Sequence, residues 1–272
     1  MLFLVSFKSK SAEASSASAP GDGLIGSRVL VAGASGDIGQ ALIRLLAPNC
    51  AKLGAHYCEN RVPLDMFAEE AQLDQEHFAL FGSDLSDQES CHRLVDSYAA
   101  WAGGIDALVQ LTGTVTKPVP WEGLSEDEWN ADLRVNLNGP FFLAQRAMAH
   151  MKVGGGRVVL ASTASAQHGG GTNTLGYGVA KAGVECLVKC LARDGAPHGI
   201  LVNAVAPGFI QTQFHTRRAQ KNAAALKKRA ELVPLKRAGL PEDVARLIEY
   251  LLSAGGNYIT GECMAVSGGD WL

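Results

Sequence analysis

No pair of cysteines in the sequence has the Cys-x-x-Cys spacing of a metal knuckle, and none sits in a disulfide framework. The six cysteines (Cys50, Cys58, Cys91, Cys186, Cys190 and Cys263) are scattered along the chain. Cys186 and Cys190 lie four apart in a helical pattern with no histidine close by, which reads as packing rather than metal ligation. A reducing intracellular compartment follows. Apolar runs of membrane-spanning length are also missing, and the opening MLFLVSF is too short to cross a bilayer. Lys8 and Lys10 follow that run, where a secretory signal carries its charges ahead of it. Residues 1–27 therefore read as a flexible Ser/Ala-rich tail. Its two lysines and lack of arginine make an organellar transit segment the weaker alternative to a cytoplasmic protein. An excess of positive charge is absent too: 24 Lys+Arg against 27 Asp+Glu leave a net charge of -3, which argues against nucleic-acid binding by bulk electrostatics. What remains is a chain that is 47% hydrophobic and 19% charged, ample for a buried core.

From Arg28 onward, short apolar runs alternate with helical patterns. RVLVAG (28–33) reads as a strand and IGQALIRLLA (38–47) as a helix whose core face carries Ile38, Leu42, Leu45 and Leu46. Further strands are expected at 54–58, 77–85, 105–113, 157–163, 200–208 and 263–269. Helices are expected at 89–102, 177–196 and 241–253. A long helix should open at SEDEW, with Ser125 and Glu128 as a capping box, and run past Phe142. This alternation predicts an α/β fold, a doubly wound parallel sheet with helices on both faces, as one domain over 28–272.

GASGDIG (33–39) follows the first strand and opens the first helix, the context in which spaced glycines cradle a phosphate. Gly33, Ser35, Gly36, Ile38 and Gly39 would bring backbone N–H groups to a dinucleotide. Asp37 adds a carboxylate in the first helical turn, where the helix dipole favours it and solvent is expected to receive it. Asp84 and Leu85 end the third strand, where an acid suits an adenine edge. CENR (58–61) ends the second strand. There Arg61 favours a 2′-phosphate and Glu59 a free ribose hydroxyl, so NADP(H) is expected ahead of NAD(H).

YGVAK puts Tyr177 and Lys181 on one helical face. A free phenol titrates near 10, and an adjacent ammonium should lower that value into the range useful for acid–base chemistry. ASTAS (161–165) offers Ser162, Thr163 and Ser165 as hydroxyls to hold a carbonyl. His168 and His215 either line the pocket or are solvated.

Taken together, AGASGDIG (32–39), SDL (83–85), RVNLNGPF (134–141), YGVAK (177–181), VNAVAPGFIQT (202–212) and YITGECMAVSGG (258–269) resemble the short-chain dehydrogenase/reductase family, in its 3-oxoacyl-carrier-protein reductase-like branch. The resemblance spans about residues 28–269. It implies a Rossmann-type fold and hydride transfer between a nicotinamide cofactor and an alcohol or ketone carbon. It further implies Tyr177 as the acid/base, Lys181 as its tuner and ribose ligand, and Asn136 as the holder of a relay water. Asn203 would buttress a strand, Pro207, Gly208 and Ile210 would flank the nicotinamide, and Thr212 would lie near the phosphates. Thr163 falls where the family usually has serine, one residue further from the tyrosine, with Ser162 as the alternative. Gly113 is kept in QLTG (110–113), but Leu111 stands where an amide is usual.

The family's substrate lid corresponds to residues 209–237. It concentrates Arg217, Arg218, Lys221, Lys227, Lys228, Arg229, Lys236 and Arg237 against a single acid, Glu231. Such a segment either attracts an anionic acyl-carrier protein or coenzyme A thioester, or is a solvated cationic face. A homodimer or homotetramer through the Tyr-Lys helix is implied by the resemblance. Two other readings stay open: a dehydrogenase of sugars, polyols or other small alcohols, and a non-catalytic nucleotide-binding scaffold.

Overall fold

The computed structural model describes Leu24 and residues 27–214 and 223–270. Apart from Leu24 and Ser27, the expected tail lies outside the described residues. Seven strands form one parallel sheet: β1 (Arg28–Ala32), β2 (Lys52–Tyr57), β3 (Phe78–Gly82), β4 (Ala107–Gln110), β5 (Gly156–Ala161), β6 (Ile200–Pro207) and β7 (Cys263–Val266). Their order is β3-β2-β1-β4-β5-β6-β7. Val31 stands opposite Ala55 on one side and Val109 on the other. The helices are α1 (Asp37–Leu46), α2 (Val62–Glu70), α3 (Gln88–Ala102), α4 (Glu126–Leu133), α5 (Gly139–Met151), α6 (Leu175–Gly195), α7 (Ala223–Leu232) and α8 (Pro241–Leu252).

The pleat sends alternate side chains to opposite faces, and both faces are covered. Val29, Val31, Val109, Val159 and Val205 meet residues of α1, α2 and α8 in one core. Leu30, Leu108, Leu160 and Val202 meet α3, α5 and α6 in the other. Each fully buried leucine of this kind contributes roughly 2 kcal/mol through removal from water.

The expected strands are present, several of them shorter than the apolar runs. Helix α1 buries Leu42, Ile43 and Leu46 most deeply, with Ile38 and Leu45 partly buried. Helix α2 had no counterpart in the sequence pattern: only Leu64 and Phe67 of its nine residues are buried, too few to set an amphipathic period. The capping box at Ser125 forms, with Ser125 Oγ accepting from Glu128 N and Glu128 accepting from Ser125 N. The long helix it opens is broken by a π-helical turn, Arg134–Asn138, before continuing as α5.

The strand order reverses between β1 and β4. Beyond the carboxyl ends of these strands lies the crevice where ligands bind in open α/β sheets.

Candidate active site

A cleft of about 430 Å³ opens at that switch point, lined by the turn after β1, the ends of β4–β6 and the start of α6. Gly33, Ser35, Gly36, Asp37, Ile38 and Gly39 form one wall. Gly33 has φ +86, and a Cβ there would come within 2.9 Å of Thr112 N. At Gly39 a Cβ would lie 2.4 Å from Gly33 O, so the helix closes on the turn only through glycine. Gly36 is different: its Cβ would make an ordinary 3.5 Å contact. Gly36 is the N-cap of α1 and provides no side-chain cap, which leaves first-turn N–H groups available to an anion.

Asp37 does not point to solvent as expected. Its Oδ2 accepts the Gln213 backbone N–H at 2.7 Å, tying the first turn of α1 to the segment that follows β6. The carboxylate is half-buried and serves the protein as an acceptor.

At the other end of the cleft sit Tyr177 and Lys181, one helical turn apart on α6. Lys181 is 2% exposed, and its Nζ donates to Ala161 O at 2.8 Å and lies 5.9 Å from the Tyr177 ring centre. Gly113 makes this approach feasible, since a Cβ there would be 3.0 Å from Lys181 Nζ and 3.2 Å from Asn136 Oδ1. The expected lowering of the Tyr177 pKa is not what this geometry gives. Burial pushes the phenol up to about 12, with the Thr163 hydroxyl pulling it down and Asp132 adding to the rise. Burial also drives Lys181 down to about 8. Desolvation is the largest influence on both groups.

The two candidate hydroxyls are separated by their bonds. Ser162 is buried and its Oγ lies within hydrogen-bond distance of two acceptors, Lys181 O (3.1 Å) and Glu185 Oε1 (2.9 Å), so its one hydrogen is directed to α6. Thr163 faces the Tyr177 phenol, and its Oγ1 lies 3.1 Å from Ser165 Oγ. Both residues line the cleft, and Thr163 is the one whose hydroxyl meets the phenol.

Asn136 is fully buried in the π-helical turn. Its Oδ1 accepts Thr114 N at 2.9 Å, and its Nδ2 donates to Thr114 O at 2.7 Å and Asp132 O at 2.9 Å. Both amide hydrogens are therefore engaged, and the side chain clamps the loop after β4. Gln110 donates to Thr112 O and Oγ1, while its buried Oε1 has no hydrogen-bond partner among the described residues.

Leu111, Pro207, Gly208, Ile210 and Thr212 line the cleft, as do Gln213 and Phe214. The Phe214 and Tyr177 rings are 6.2 Å apart. Asn203 Nδ2 donates to Ile259 O and its Oδ1 accepts Glu262 N, joining β6 to the approach to β7. Arg61, Asp84, Leu85 and Asn136 are not among the lining residues. Arg61 instead makes a two-pronged pair with Asp65 one turn on, and Asn60 and Pro63 reach the cleft in its place. Asp84 accepts from Ser86 N.

Two buried polar residues that sequence reasoning passed over lie behind the site. Asp132 is a buried acid whose Oδ1 accepts Thr116 N. His56 is a lone histidine inside an apolar strand pattern, and that placement was the available signal. His215, Arg217, Arg218 and Lys221 lie outside the described residues. His168 is exposed. Among the described residues, no group of three His, Cys, Asp or Glu side chains is placed to hold a metal, and no helix is long and apolar enough to cross a membrane.

The chain is similar to known proteins over most of its length. The family described as "Enoyl-(Acyl carrier protein) reductase" matches residues 32–270. The chain is 33% identical to an acetoacetyl-CoA reductase of Shinella zoogloeoides over 246 residues, covering 89% of this chain and 98% of the relative. It is 32% identical to a 3-oxoacyl-[acyl-carrier-protein] reductase of Thermotoga maritima, covering 90% of this chain and 98% of the relative. A short-chain dehydrogenase from Burkholderia cenocepacia, solved in complex with NADP, superposes with a TM-score of 0.82 at 27% identity, covering 90% and 98% of the two chains.

Proposed function

The chain belongs to the short-chain dehydrogenase/reductase family of oxidoreductases, and from that premise we propose that it reduces 3-oxoacyl thioesters with a nicotinamide cofactor, Tyr177 supplying the proton. The observation that carries this reading is the meeting of Tyr177, Lys181 and Thr163 at one end of a cleft whose other end is a glycine phosphate cradle.

The cleft fits a dinucleotide by its own shape: a Cβ at Gly33 or Gly39 would collide with backbone, and first-turn N–H groups are left for phosphate. Gly33–Gly39 and Thr212 would hold the phosphates, and Lys181 and Tyr177 the nicotinamide ribose. Pro207, Gly208 and Ile210 would flank the ring. When bound, the cofactor supplies the hydride. NADP(H) is favoured over NAD(H), because Asn60 and Pro63 rather than an acid face the cleft beyond β2. The NADP-bound structural neighbour supports the same choice.

Thr163 donates a hydrogen bond that holds the substrate carbonyl, and Tyr177 gives that oxygen its proton as the alcohol forms. The Tyr177 value of about 12 keeps the phenol protonated at neutral pH, the form a reductase needs. The Lys181 ammonium stabilises the phenolate left behind, and Asn136 fixes the loop carrying Gly113 against Lys181.

A thioester substrate is supported by the named activities of the two relatives. Docking of an acidic carrier on residues 209–237 has less free charge to work with than the sequence suggests. Arg229 pairs with Asp270 and Arg237 with Asp243, and three of the eight cations lie outside the described residues. Assembly through α6, which exposes Val179, Cys186 and Cys190, completes the reading.

The test is oxidation of NADPH and NADH with 3-oxoacyl-CoA, 3-oxoacyl-carrier protein, sugar and small-ketone substrates. Tyr177→Phe is expected to lower kcat by about 10²–10⁴-fold, a far larger effect than its weakening of NADPH binding. Full turnover in that variant would defeat the mechanism, and preference for a polyol would defeat the substrate assignment.

A further inference from the structure

His56 is 1% exposed and belongs to no step described above. It stands near the end of β2, with Ala55 before it opposite Val31 of β1. His56 itself is opposite Phe81 of β3, so its ring lies between the turn that begins at Gly33 and the chain that leaves β3 at Ser83. Three hydrogen bonds run through this one residue. Its carbonyl accepts Ala34 N at 2.9 Å. Its Nδ1 lies 3.1 Å from Gly33 N, and its Nε2 lies 2.9 Å from Ser83 O.

The partners fix the tautomer. Gly33 N–H can only donate, so Nδ1 is the acceptor; Ser83 O can only accept, so Nε2 carries the hydrogen. Gly33, with its positive φ, begins the cradle turn, and its part-buried N–H takes this partner. Two consecutive N–H groups of the phosphate cradle, Gly33 and Ala34, are thus held by His56. Its third bond reaches the residue beside Asp84, at the end of β3.

We propose that His56 is a positioning residue for the dinucleotide, a strut that holds the phosphate turn in register with the end of β3. The inference rests on the reading of the cleft as a nicotinamide-cofactor site. An apolar ring here would fill the space but leave Gly33 N–H and Ser83 O without their buried partner. Protonation would do comparable damage, since an added hydrogen on Nδ1 would face the Gly33 N–H. Burial lowers the proton affinity of the ring, opposed by its bond to the Ser83 carbonyl and by the charge of Asp84. Asp84 is the charged group acting from the β3 side, while the turn after β1 meets the ring through backbone N–H.

The experiment measures the dissociation constants of NADPH and NADH by cofactor fluorescence between pH 5 and 8, alongside the melting temperature of the cofactor-free protein. His56→Phe keeps a ring without either hydrogen bond. His56→Asn keeps an acceptor within reach of Gly33 N–H and has no group titrating in this range. His56→Phe is expected to weaken cofactor binding about tenfold, with His56→Asn recovering most of it. Wild-type affinity is expected to fall towards the acid end of this range, below the ordinary imidazole value because burial lowers the ring's proton affinity, and His56→Asn to lack that fall. Binding in His56→Phe within twofold of wild type, or an unchanged acid limb in His56→Asn, would overturn the strut. If His56→Phe does not fold, the comparison of wild type with His56→Asn still decides. Failure of the wild-type protein to bind either cofactor would instead reject the cofactor reading of the cleft.

Discussion

At the residue scale, the two hydroxyls at the end of β5 show how neighbouring positions acquire different tasks. Ser162 and Thr163 are adjacent, and successive residues of extended chain point to opposite sides. Ser162 is spent on Lys181 O and Glu185, whereas Thr163 meets the phenol. Thr163→Val, which keeps the shape and removes the hydroxyl, is expected to lower kcat about 100-fold with little change in melting temperature. Ser162→Ala should do the reverse, costing about 1 kcal/mol of stability while kcat stays within about threefold. Steady-state kinetics and thermal melts on the two variants separate the roles; matching kinetic losses would refute the assignment. The motif made both hydroxyls visible in the sequence. Their directions depend on the position of α6 behind the strand, which no spacing reveals.

At the element scale, the turn from β1 into α1 is governed by clearance more than by the number of glycines. Gly33 and Gly39 have no room for a side chain, while Gly36 does. Gly36→Ala is therefore expected to bind NADPH within about threefold of wild type. Gly39→Ala must push α1 off the turn and is expected to lose at least tenfold in affinity or to melt several degrees lower, as overpacking of this kind costs roughly 1–3 kcal/mol. Titration of both variants with NADPH is the check, and equal affinities would show that the turn is more pliable than its contacts imply. Asp37 belongs to the same element: the sequence placed it in the first turn correctly, but the donor to its carboxylate, Gln213 N–H, is 176 residues away. Likewise, the capping box announced α4, whereas the π-helical turn that delivers Asn136 had no local sign.

At the scale of the whole molecule, the buried Lys181 costs stability. Lys181 titrates near 10.5 when free and near 8 in the fold. Between those values the folded chain holds fewer protons than the unfolded chain, so this group makes stability rise with pH across that window. The buried thiols of Cys50, Cys91 and Cys263, raised to about 11 or 12, act in the opposite direction above about pH 9, when the unfolded chain ionises first. A comparison with Lys181→Met cancels their effect. The stability of Lys181→Met relative to wild type is expected to decline by about 3 kcal/mol from pH 7 to pH 10.5, as read by denaturant unfolding. A constant difference would mean that Lys181 is not desolvated as the fold suggests. The sequence by itself determined the parallel α/β architecture, the glycine cradle and the Tyr177–Lys181 pair, because those depend on apolar period, strand-turn-helix order and spacing within one helix. The tertiary structure alone decided that α2 exists on two buried side chains and that Arg61 is held by Asp65. It also decided that Asn136 clamps backbone, that His56 braces the cradle and that burial governs both Tyr177 and Lys181. Direction, desolvation and bonds between distant segments come from packing, and packing is a property of the assembled layers.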